Sequence, residues 1–194
     1  FEQLQEGPFR GYRLGLLHGK MKAAEKEYGP NFEAAYDWIK KEDPSRLVQY
    51  EQSGRTGKTD IYCPMYLGYN RSEEYSKDEQ YQKPLIQCEY AHAMGNSEGG
   101  FKEYWDLIRK YPKYQGGFIW DFVDQSVRWT GKNGKMIYAY GGDFNRFDAS
   151  DFNFCDNGLI SPDRVPNPHM YEVGYFFQNI WTNPTDIQNG EISI

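Results

Sequence analysis

The amino-acid sequence predicts an α/β protein built as half of an eight-stranded barrel. Short apolar runs typical of buried strands alternate with segments whose apolar residues recur at helical spacing. Such alternation is typical of parallel βαβ units. Four predicted strands with two clear helices correspond to half of a (β/α)8 barrel, and a strand-like segment of a following β domain ends the chain.

The two predicted helices have recognisable ends. The first begins at Asn31, whose side chain can act as the N-cap, runs to Lys41, and is ended by Asp43-Pro44. The second follows Ser97, another residue that favours the N-cap position, and has its apolar residues between 101 and 108. Both helices therefore follow from capping and periodicity together.

The predicted strands are four short apolar runs. They lie at residues 47–50, 61–66, 85–90 and 118–120. Residues 67–83, which separate the second from the third, are charged and Tyr-rich without a period, and they predict a surface loop with at most a short helix.

The pattern changes beyond Asp124. Turn signals recur over residues 125–170, which predicts a long folded loop region. The alternation around Phe176-Phe177 and Ile192 predicts strands. We therefore divide the chain into an unassigned N-terminal segment, half of a barrel and the start of a β-sandwich domain, at residues 1–30, 31–173 and 174–194.

Composition limits the partners and the compartment. The net charge of −6 argues against nucleic acid and anionic membranes, and no apolar run reaches the roughly 20 residues of a membrane helix. The three cysteines, Cys63, Cys88 and Cys155, form no C-x-x-C pair, so we expect reduced thiols. We expect a soluble, cytoplasmic protein, with the periplasm as the alternative. Because the first residue is Phe1 rather than Met, we also expect a piece of a longer protein.

The most informative run, residues 85–97, reads L-I-Q-C-E-Y-A-H-A-M-G-N-S. It places the carboxylate of Glu89 at the end of a predicted buried strand, followed by His92 and a turn into a helix. In a barrel, the carboxyl ends of the strands form the active face. Glu89 is therefore a candidate catalytic residue, and the alternative is a strand-end carboxylate in a structural ion pair.

This run resembles the nucleophile segment of family 2 glycoside hydrolases, specifically the β-galactosidases. Further segments resemble other parts of the family in the same order along the chain: residues 43–51, 61–66, 116–125, 140–144 and 154–159. The first three are similar to the fifth, sixth and eighth barrel strands. The resemblance therefore implies strands 5–8 of a TIM barrel.

The resemblance also implies roles for individual residues. Glu89 is similar to the nucleophile of a retaining mechanism, which forms a covalent galactosyl-enzyme. Tyr66 is similar to a tyrosine that donates a hydrogen bond to it, and a core tyrosine is the alternative. His92, Trp120 and Asn157 are similar to sugar-binding residues, although His92 taken alone would be a structural histidine.

Two metal ions are implied by the same resemblance. The carbonyl oxygen of Phe154 and the side chain of Asn157 are similar to ligands of a Na⁺ ion that meets the sugar, and neutral oxygens suit such an ion. A Mg²⁺ ion is also implied, but most of its ligands would lie outside this chain.

The second carboxylic acid that a retaining glycosidase needs has no clear equivalent. The family places it in an Asn-Glu-x-Gly motif, which this sequence lacks. Counting back from Gly29-Pro30 without gaps places Glu25 at the position of the acid, but Ala24 replaces the Asn. The alternative for Glu25 is an exposed glutamate in a charged segment.

Two functions from different classes follow. The first is hydrolysis of terminal β-D-galactosides by an enzyme to which the chain contributes half of the active site. The second is a catalytically inactive fragment that binds galactosides weakly. Half a barrel leaves strand edges unpaired, so we expect a homo-oligomer or pairing with the missing half. Glucuronidases and mannosidases share the architecture, but the C-E-Y-A-H and F-C-x-N-G runs favour galactose.

Overall fold

The computed structural model describes residues 29–95, 97–147, 149–152 and 154–194. Among them, two compact units form: unit 1 from residues 29–90 and 106–118, and unit 2 from residues 91–105 and 119–194. The elements in chain order are α1 (Pro30–Glu42), α2 (Tyr69–Lys77), β1 (Leu85–Tyr90), α3 (Phe101–Lys110), β2 (Tyr114–Ile119), β3 (Val127–Thr130), β4 (Met136–Ala139), α4 (Met170–Phe177), β5 (Asn183–Asp186) and β6 (Glu191–Ser193).

The strand β1 is the best-buried element of unit 1. Leu85, Gln87 and Tyr90 have essentially no exposed surface. The segment 62–66 lies alongside β1, with parallel bridges from Tyr62 to Leu85 and from Met65 to Glu89. β2 pairs with β1 in a two-stranded sheet. The predicted strand over 85–90 is thus confirmed, and the segment 61–66 has the parallel direction that the predicted βαβ order requires.

The predicted strand over 47–50 is wrong, because the structure has irregular chain there. Its backbone contact is with Asp60: the Asp60 N–H donates to the Val48 carbonyl at 2.8 Å, and the Asp60 carboxylate accepts from the Val48 N–H at 2.8 Å. Leu47 is 68% exposed. A strand needs a ladder of backbone hydrogen bonds to a neighbouring strand, and the bonds to Asp60 do not supply one.

Helix α1 begins two residues earlier than predicted, and the predicted N-cap is wrong. The N-cap is Gly29 rather than Asn31, and Pro30 occupies the first turn, where its missing N–H costs nothing. Asp43 is the C-cap, as predicted, with its N–H bonded to a carbonyl of the last turn. The helix is held to Asp60, whose carboxylate accepts a 2.6 Å hydrogen bond from Tyr36. That bond to an anion raises the pKa of Tyr36 to about 12.

Helix α2 lies in the predicted surface loop. Its buried face consists of Ser72, Tyr75 and Ser76, which are three and four residues apart and so share one side of a helix. The Tyr75 ring packs against Tyr62, with the ring centroids 4.5 Å apart. A tyrosine of this Tyr-rich segment therefore contributes to the core. The sequence did not predict this, because the segment has no apolar periodicity.

Unit 2 contains a hairpin and a parallel contact inside the region predicted as a folded loop. Strands β3 and β4 are antiparallel, and Gly134 in the turn between them has a φ of +75°. Residues 121–124 lie parallel to residues 157–160, with a bridge from Val123 to Ile160. Turn residues in the sequence indicated chain reversals, but not which strands they join.

The prediction of strands around Phe176-Phe177 is wrong, because both residues belong to helix α4. Their rings pack on the same neighbour, with centroids 6.4 and 6.0 Å from Phe101. Adjacent side chains of a strand point to opposite faces, whereas those of a helix can contact one neighbour. Ile192 does lie in a strand, β6, which pairs with β5 in an antiparallel hairpin. The domain boundaries remain predictions.

Two further findings bear on the composition. The cysteines Cys63, Cys88 and Cys155 are free thiols, as predicted. Within the part of the chain that the structure describes, no helix combines the length and apolar character that a membrane crossing requires.

We predict that Gly158→Ala destabilises unit 2. A Cβ at this position would lie 2.5 Å from the Val123 carbonyl carbon and 2.7 Å from the Ile160 carbonyl oxygen, and backbone atoms cannot move aside without breaking the parallel contact. We expect a loss on the order of 3 kcal/mol in the free energy of unfolding, measured by urea denaturation.

The matched control is Gly174→Ala in helix α4, where the added Cβ has no heavy atom within 4 Å. We expect this change to stabilise the chain by about 1 kcal/mol, because alanine is the better helix former. Equal effects of the two substitutions would contradict the close packing inferred at Gly158.

Candidate active site

The first group of predicted site residues lies in unit 1 and consists of Tyr66 and Glu89. The Tyr66 hydroxyl donates a hydrogen bond of 2.8 Å to Oε2 of Glu89. The two residues are also joined through the backbone, since the Tyr66 N–H donates to the Glu89 carbonyl oxygen at 2.8 Å. Glu89 is the last residue but one of β1, so the pair lies at the carboxyl end of that strand.

The backbone of Tyr66 is strained. Its φ is +48°, in the left-handed region that a residue with a Cβ seldom adopts. Such conformations cost free energy and persist where the surrounding structure fixes them, often at functional sites. The side chain is 43% exposed, so Tyr66 is not a core tyrosine in this structure.

Glu89 differs from a structural strand-end carboxylate. Within the described residues it takes part in no salt bridge, and its side chain accepts a hydrogen bond from the Tyr66 hydroxyl. A carboxylate that has a neutral donor and no cation partner among the described residues could act as a nucleophile.

The second group lies in unit 2 and consists of His92, Trp120, Phe154 and Asn157. Two backbone bonds gather it: the Ala93 N–H donates to the Trp120 carbonyl at 2.9 Å, and the next N–H after Trp120 donates to the Asn157 carbonyl at 2.8 Å. The rings of His92 and Phe154 are stacked, with centroids 5.4 Å apart. The structure therefore brings these four predicted residues together.

Asn157 is the most unusual member of this group. Its side chain is fully buried, and within the described chain neither the amide oxygen nor the amide nitrogen has a hydrogen-bond partner. Leaving a buried amide unpaired is costly. A neutral amide oxygen suits a Na⁺ ion or a sugar hydroxyl, so this residue fits the predicted sodium site. No cluster of three or more His, Cys, Asp or Glu side chains that could hold a metal occurs among the described residues.

Asp121 is a site candidate that the sequence reasoning missed. One carboxylate oxygen accepts a 2.6 Å hydrogen bond from Gln125, and the other is buried with no partner in the described structure. Burial raises the pKa of this carboxyl, and the nearby charge of Asp124 adds to the effect. The signal was present, because Asp121 follows a predicted strand just as Glu89 ends one.

Glu25, the predicted acid, lies outside the described residues. The available geometry therefore concerns the predicted nucleophile and the sugar- and sodium-binding residues.

Glu98 is a second carboxylate that the sequence reasoning missed. It lies in unit 2 with a side chain only 2% exposed, and neither of its oxygens accepts a hydrogen bond from any described residue. Nε2 of His169 is 3.8 Å away. Burial, followed by the charge of Glu172, raises the pKa of Glu98 to about 7.

Unit 1 thus combines a parallel β/α unit with a carboxylate and its hydroxyl donor at the carboxyl end of a strand, the position at which barrel enzymes carry their active sites. The chain belongs to the glycosyl hydrolases family 2, and the profile of the TIM barrel domain of that family matches residues 22–182. The family resemblance and the barrel class predicted from the sequence are thereby confirmed. The numbering of the strands as 5–8 remains a prediction.

Curated relatives agree with this family. A β-galactosidase of Klebsiella pneumoniae is 49% identical over 157 residues, covering 75% of this chain and 15% of the relative. A β-galactosidase of Enterobacter cloacae is 42% identical over 185 residues, covering 86% and 18% respectively. The chain thus spans less than a fifth of the length of these relatives. Among solved structures, a Faecalibacterium prausnitzii β-glucuronidase aligns with a TM-score of 0.46 at 18% identity, covering 75% of this chain and 28% of that one.

We predict that the stability of unit 2 depends on pH through Glu98. Because the pKa in the folded state is raised to about 7, the folded chain retains a proton that the unfolded chain loses above its ordinary pKa. Stability therefore falls as the pH rises from about 4.5 to 7 and is level above that. Glu98→Gln should remove this loss, which is on the order of 3 kcal/mol, in urea denaturation at pH 4.5 and pH 8.

Glu103→Gln is the matched control, since Glu103 is an exposed glutamate of helix α3. It should leave the pH dependence unchanged. If Glu98→Gln retained the full decrease between the two pH values, the raised pKa would be refuted.

Proposed function

We propose that the chain is the part of a retaining β-galactosidase that supplies its nucleophile, Glu89. The observation that carries this proposal is the 2.8 Å hydrogen bond from Tyr66 to Glu89 at the carboxyl end of β1. The sequence of the surrounding segment and the names of the curated relatives support galactose as the sugar. Those relatives are much longer than this chain, and we propose that the chain contributes to an activity that belongs to the whole enzyme.

The chemistry proceeds in two steps. In the first, a carboxylate oxygen of Glu89 forms a bond to the anomeric carbon while the bond from that carbon to the leaving oxygen breaks and an acid protonates the leaving oxygen. In the second, water attacks the anomeric carbon, the bond to Glu89 breaks, and the acid that lost its proton in the first step takes a proton from the water. Tyr66 orients the carboxylate before attack and keeps a donor available when the carboxylate leaves the sugar.

We propose that the acid comes from Glu25 or from a part of the enzyme outside this chain. The missing Asn-Glu-x-Gly motif favours the second source. We also propose that the chain supplies strands 5–8 of the barrel and pairs with the other half of the barrel or with a second copy of itself. An inactive, weakly binding fragment is the second candidate function, and the absence of the Asn-Glu-x-Gly motif favours it.

We further propose that His92, Trp120 and Asn157 bind the galactose. A tryptophan face suits the apolar face of a sugar, and an imidazole and an amide can hydrogen-bond its hydroxyls. The buried, unpaired amide of Asn157 supports this role. Asn157 and the carbonyl oxygen of Phe154 would hold the Na⁺ ion, which supplies a positive charge for a sugar hydroxyl. The Mg²⁺ ligands would lie mostly outside the chain.

We expect Glu89 to be labelled by a 2-deoxy-2-fluoro-β-galactoside with a dinitrophenolate leaving group. Such a leaving group departs without an acid, so the reagent tests the nucleophile and the pocket alone. Intact mass should rise by one fluorosugar, and peptide mapping should place the adduct on Glu89. Glu89→Gln should abolish the adduct, whereas Glu79→Gln, an exposed glutamate, should not.

A folded sample that forms no adduct would refute the proposed function for this chain and favour the inactive fragment. The corresponding fluoroglucuronide should label at least tenfold more slowly if the sugar is galactose, since one wrong or missing polar contact costs about that factor or more. Faster labelling by the glucuronide would change the assigned sugar.

We expect Tyr66→Phe to slow this labelling by about 10- to 100-fold, the loss that follows from removing a hydrogen bond to a charged group. The ring remains, so binding of the reagent should change little. Tyr171→Phe, which alters a 73% exposed tyrosine, is the control and should leave the rate unchanged. An unchanged rate in Tyr66→Phe would show that its hydroxyl does not assist Glu89.

A further inference from the structure

We propose that Gln87 is a positioning residue that holds Tyr66 against Glu89. The inference rests on the proposed function in one respect, namely that Glu89 is the nucleophile. It follows from three features of unit 1: the burial of the Gln87 amide, its bond to the backbone next to Tyr66, and the strain in that backbone.

Gln87 is a buried polar residue in a strand that is otherwise largely apolar. Its side chain has no exposed surface. Burying an amide is unfavourable unless both of its ends are hydrogen-bonded. An apolar side chain would pack at this position without that requirement, so the partners of the amide indicate why a glutamine is used.

Both ends of the amide have partners. The oxygen accepts a 2.6 Å hydrogen bond from the Leu67 N–H, and the nitrogen donates a 2.6 Å hydrogen bond to the Tyr114 hydroxyl. Tyr114 is itself 1% exposed, on β2. The donor at Leu67 decides the orientation of the amide, because a backbone N–H needs an acceptor.

The bond to Leu67 fixes the strained residue before it. The Tyr66 N–H is bonded to the Glu89 carbonyl and the Leu67 N–H to the Gln87 side chain, so the peptide groups on both sides of Tyr66 are tied to β1. A φ of +48° at Tyr66 is maintained only under such constraint. Without the second bond, Tyr66 can rotate about its N–Cα bond to an ordinary φ. This rotation moves the following peptide group and turns the phenol away from Glu89.

Gln87 also lies two residues before Glu89, which places both side chains on one face of β1. The acceptor for the Leu67 backbone and the partner of the Tyr66 hydroxyl therefore come from one rigid element. Movement of Tyr66 relative to Glu89 then requires breaking bonds to the strand that carries Glu89.

The test compares Gln87→Met with Tyr114→Phe. Methionine keeps the volume but removes the acceptor for Leu67, whereas Tyr114→Phe removes the bond at the other end of the amide and leaves the acceptor for Leu67 in place. Each removes polar contacts from the same core, so a merely structural role predicts similar consequences for both. Gln87→Leu serves if the methionine variant does not fold.

The first readout is labelling of Glu89 by the fluorogalactoside. For Gln87→Met we expect the maximal labelling rate to fall at least tenfold, with the half-saturating reagent concentration changed less than twofold. For Tyr114→Phe we expect both values within threefold of the unsubstituted chain. Equal rates in the two variants, or a loss confined to the half-saturating concentration, would overturn the positioning role.

The second readout needs no reaction. With 3-fluorotyrosine incorporated and the Tyr66 signal assigned from Tyr66→Phe, Glu89→Gln should shift the ¹⁹F resonance of Tyr66 in the unsubstituted chain. In the Gln87→Met background this shift should disappear, and in the Tyr114→Phe background it should persist. An equal shift in all three backgrounds would refute the proposal.

The two readouts separate two failures. If the unsubstituted chain is not labelled, the proposed function fails, while the ¹⁹F comparison still decides whether Gln87 positions Tyr66. If labelling succeeds and the ¹⁹F shift persists in Gln87→Met, the nucleophile assignment stands and the role of Gln87 falls.

Discussion

Parallel backbone hydrogen bonding between residues 62–66 and β1 is the constraint on which the candidate site depends. Within this contact, the N–H groups of Ile86 and Cys88 donate to carbonyls of the neighbouring segment at 3.0 and 3.1 Å. The register of these bonds sets Tyr66 opposite Glu89. A shift by one residue would turn every side chain to the other face, and the hydroxyl would then lose the carboxylate.

Burial gives this arrangement its rigidity. A two-stranded sheet has little stability of its own, but Leu85 and Tyr90 of β1 are fully buried, and the amide of Gln87 is paired at both ends. Gly117 contributes by its lack of a side chain, since a Cβ there would lie 2.8 Å from the Tyr90 ring. The strain at Tyr66 is thus held by packing and hydrogen bonds that lie below the exposed pair.

In unit 2, by contrast with the paired amide of Gln87, several polar side chains are buried without hydrogen-bond partners among the described residues. The amide of Asn157, one oxygen of Asp121 and both oxygens of Glu98 have no hydrogen-bond partner among the described residues. Natural structures leave few buried polar atoms unpaired. Asn157 and Asp121 belong to or adjoin the predicted sugar- and sodium-binding residues. At such a site, an unpaired polar group that costs stability can bind a ligand.

The sequence by itself determined the family, the candidate nucleophile, the ends of α1 to within two residues and the strand over 85–90. These features depend on local chemistry: short motifs, apolar residues at helical spacing before an Asp-Pro pair, and an apolar run that ends in a carboxylate. It did not predict the helix over 170–177 or the irregular chain at 47–50. Only the tertiary structure decided those, because the partner of a segment, Phe101 in one case and Asp60 in the other, is distant along the chain. The same holds for Gln87: its type and position are visible in the sequence, but its bond to Leu67 exists only where the chain returns to pack against β1.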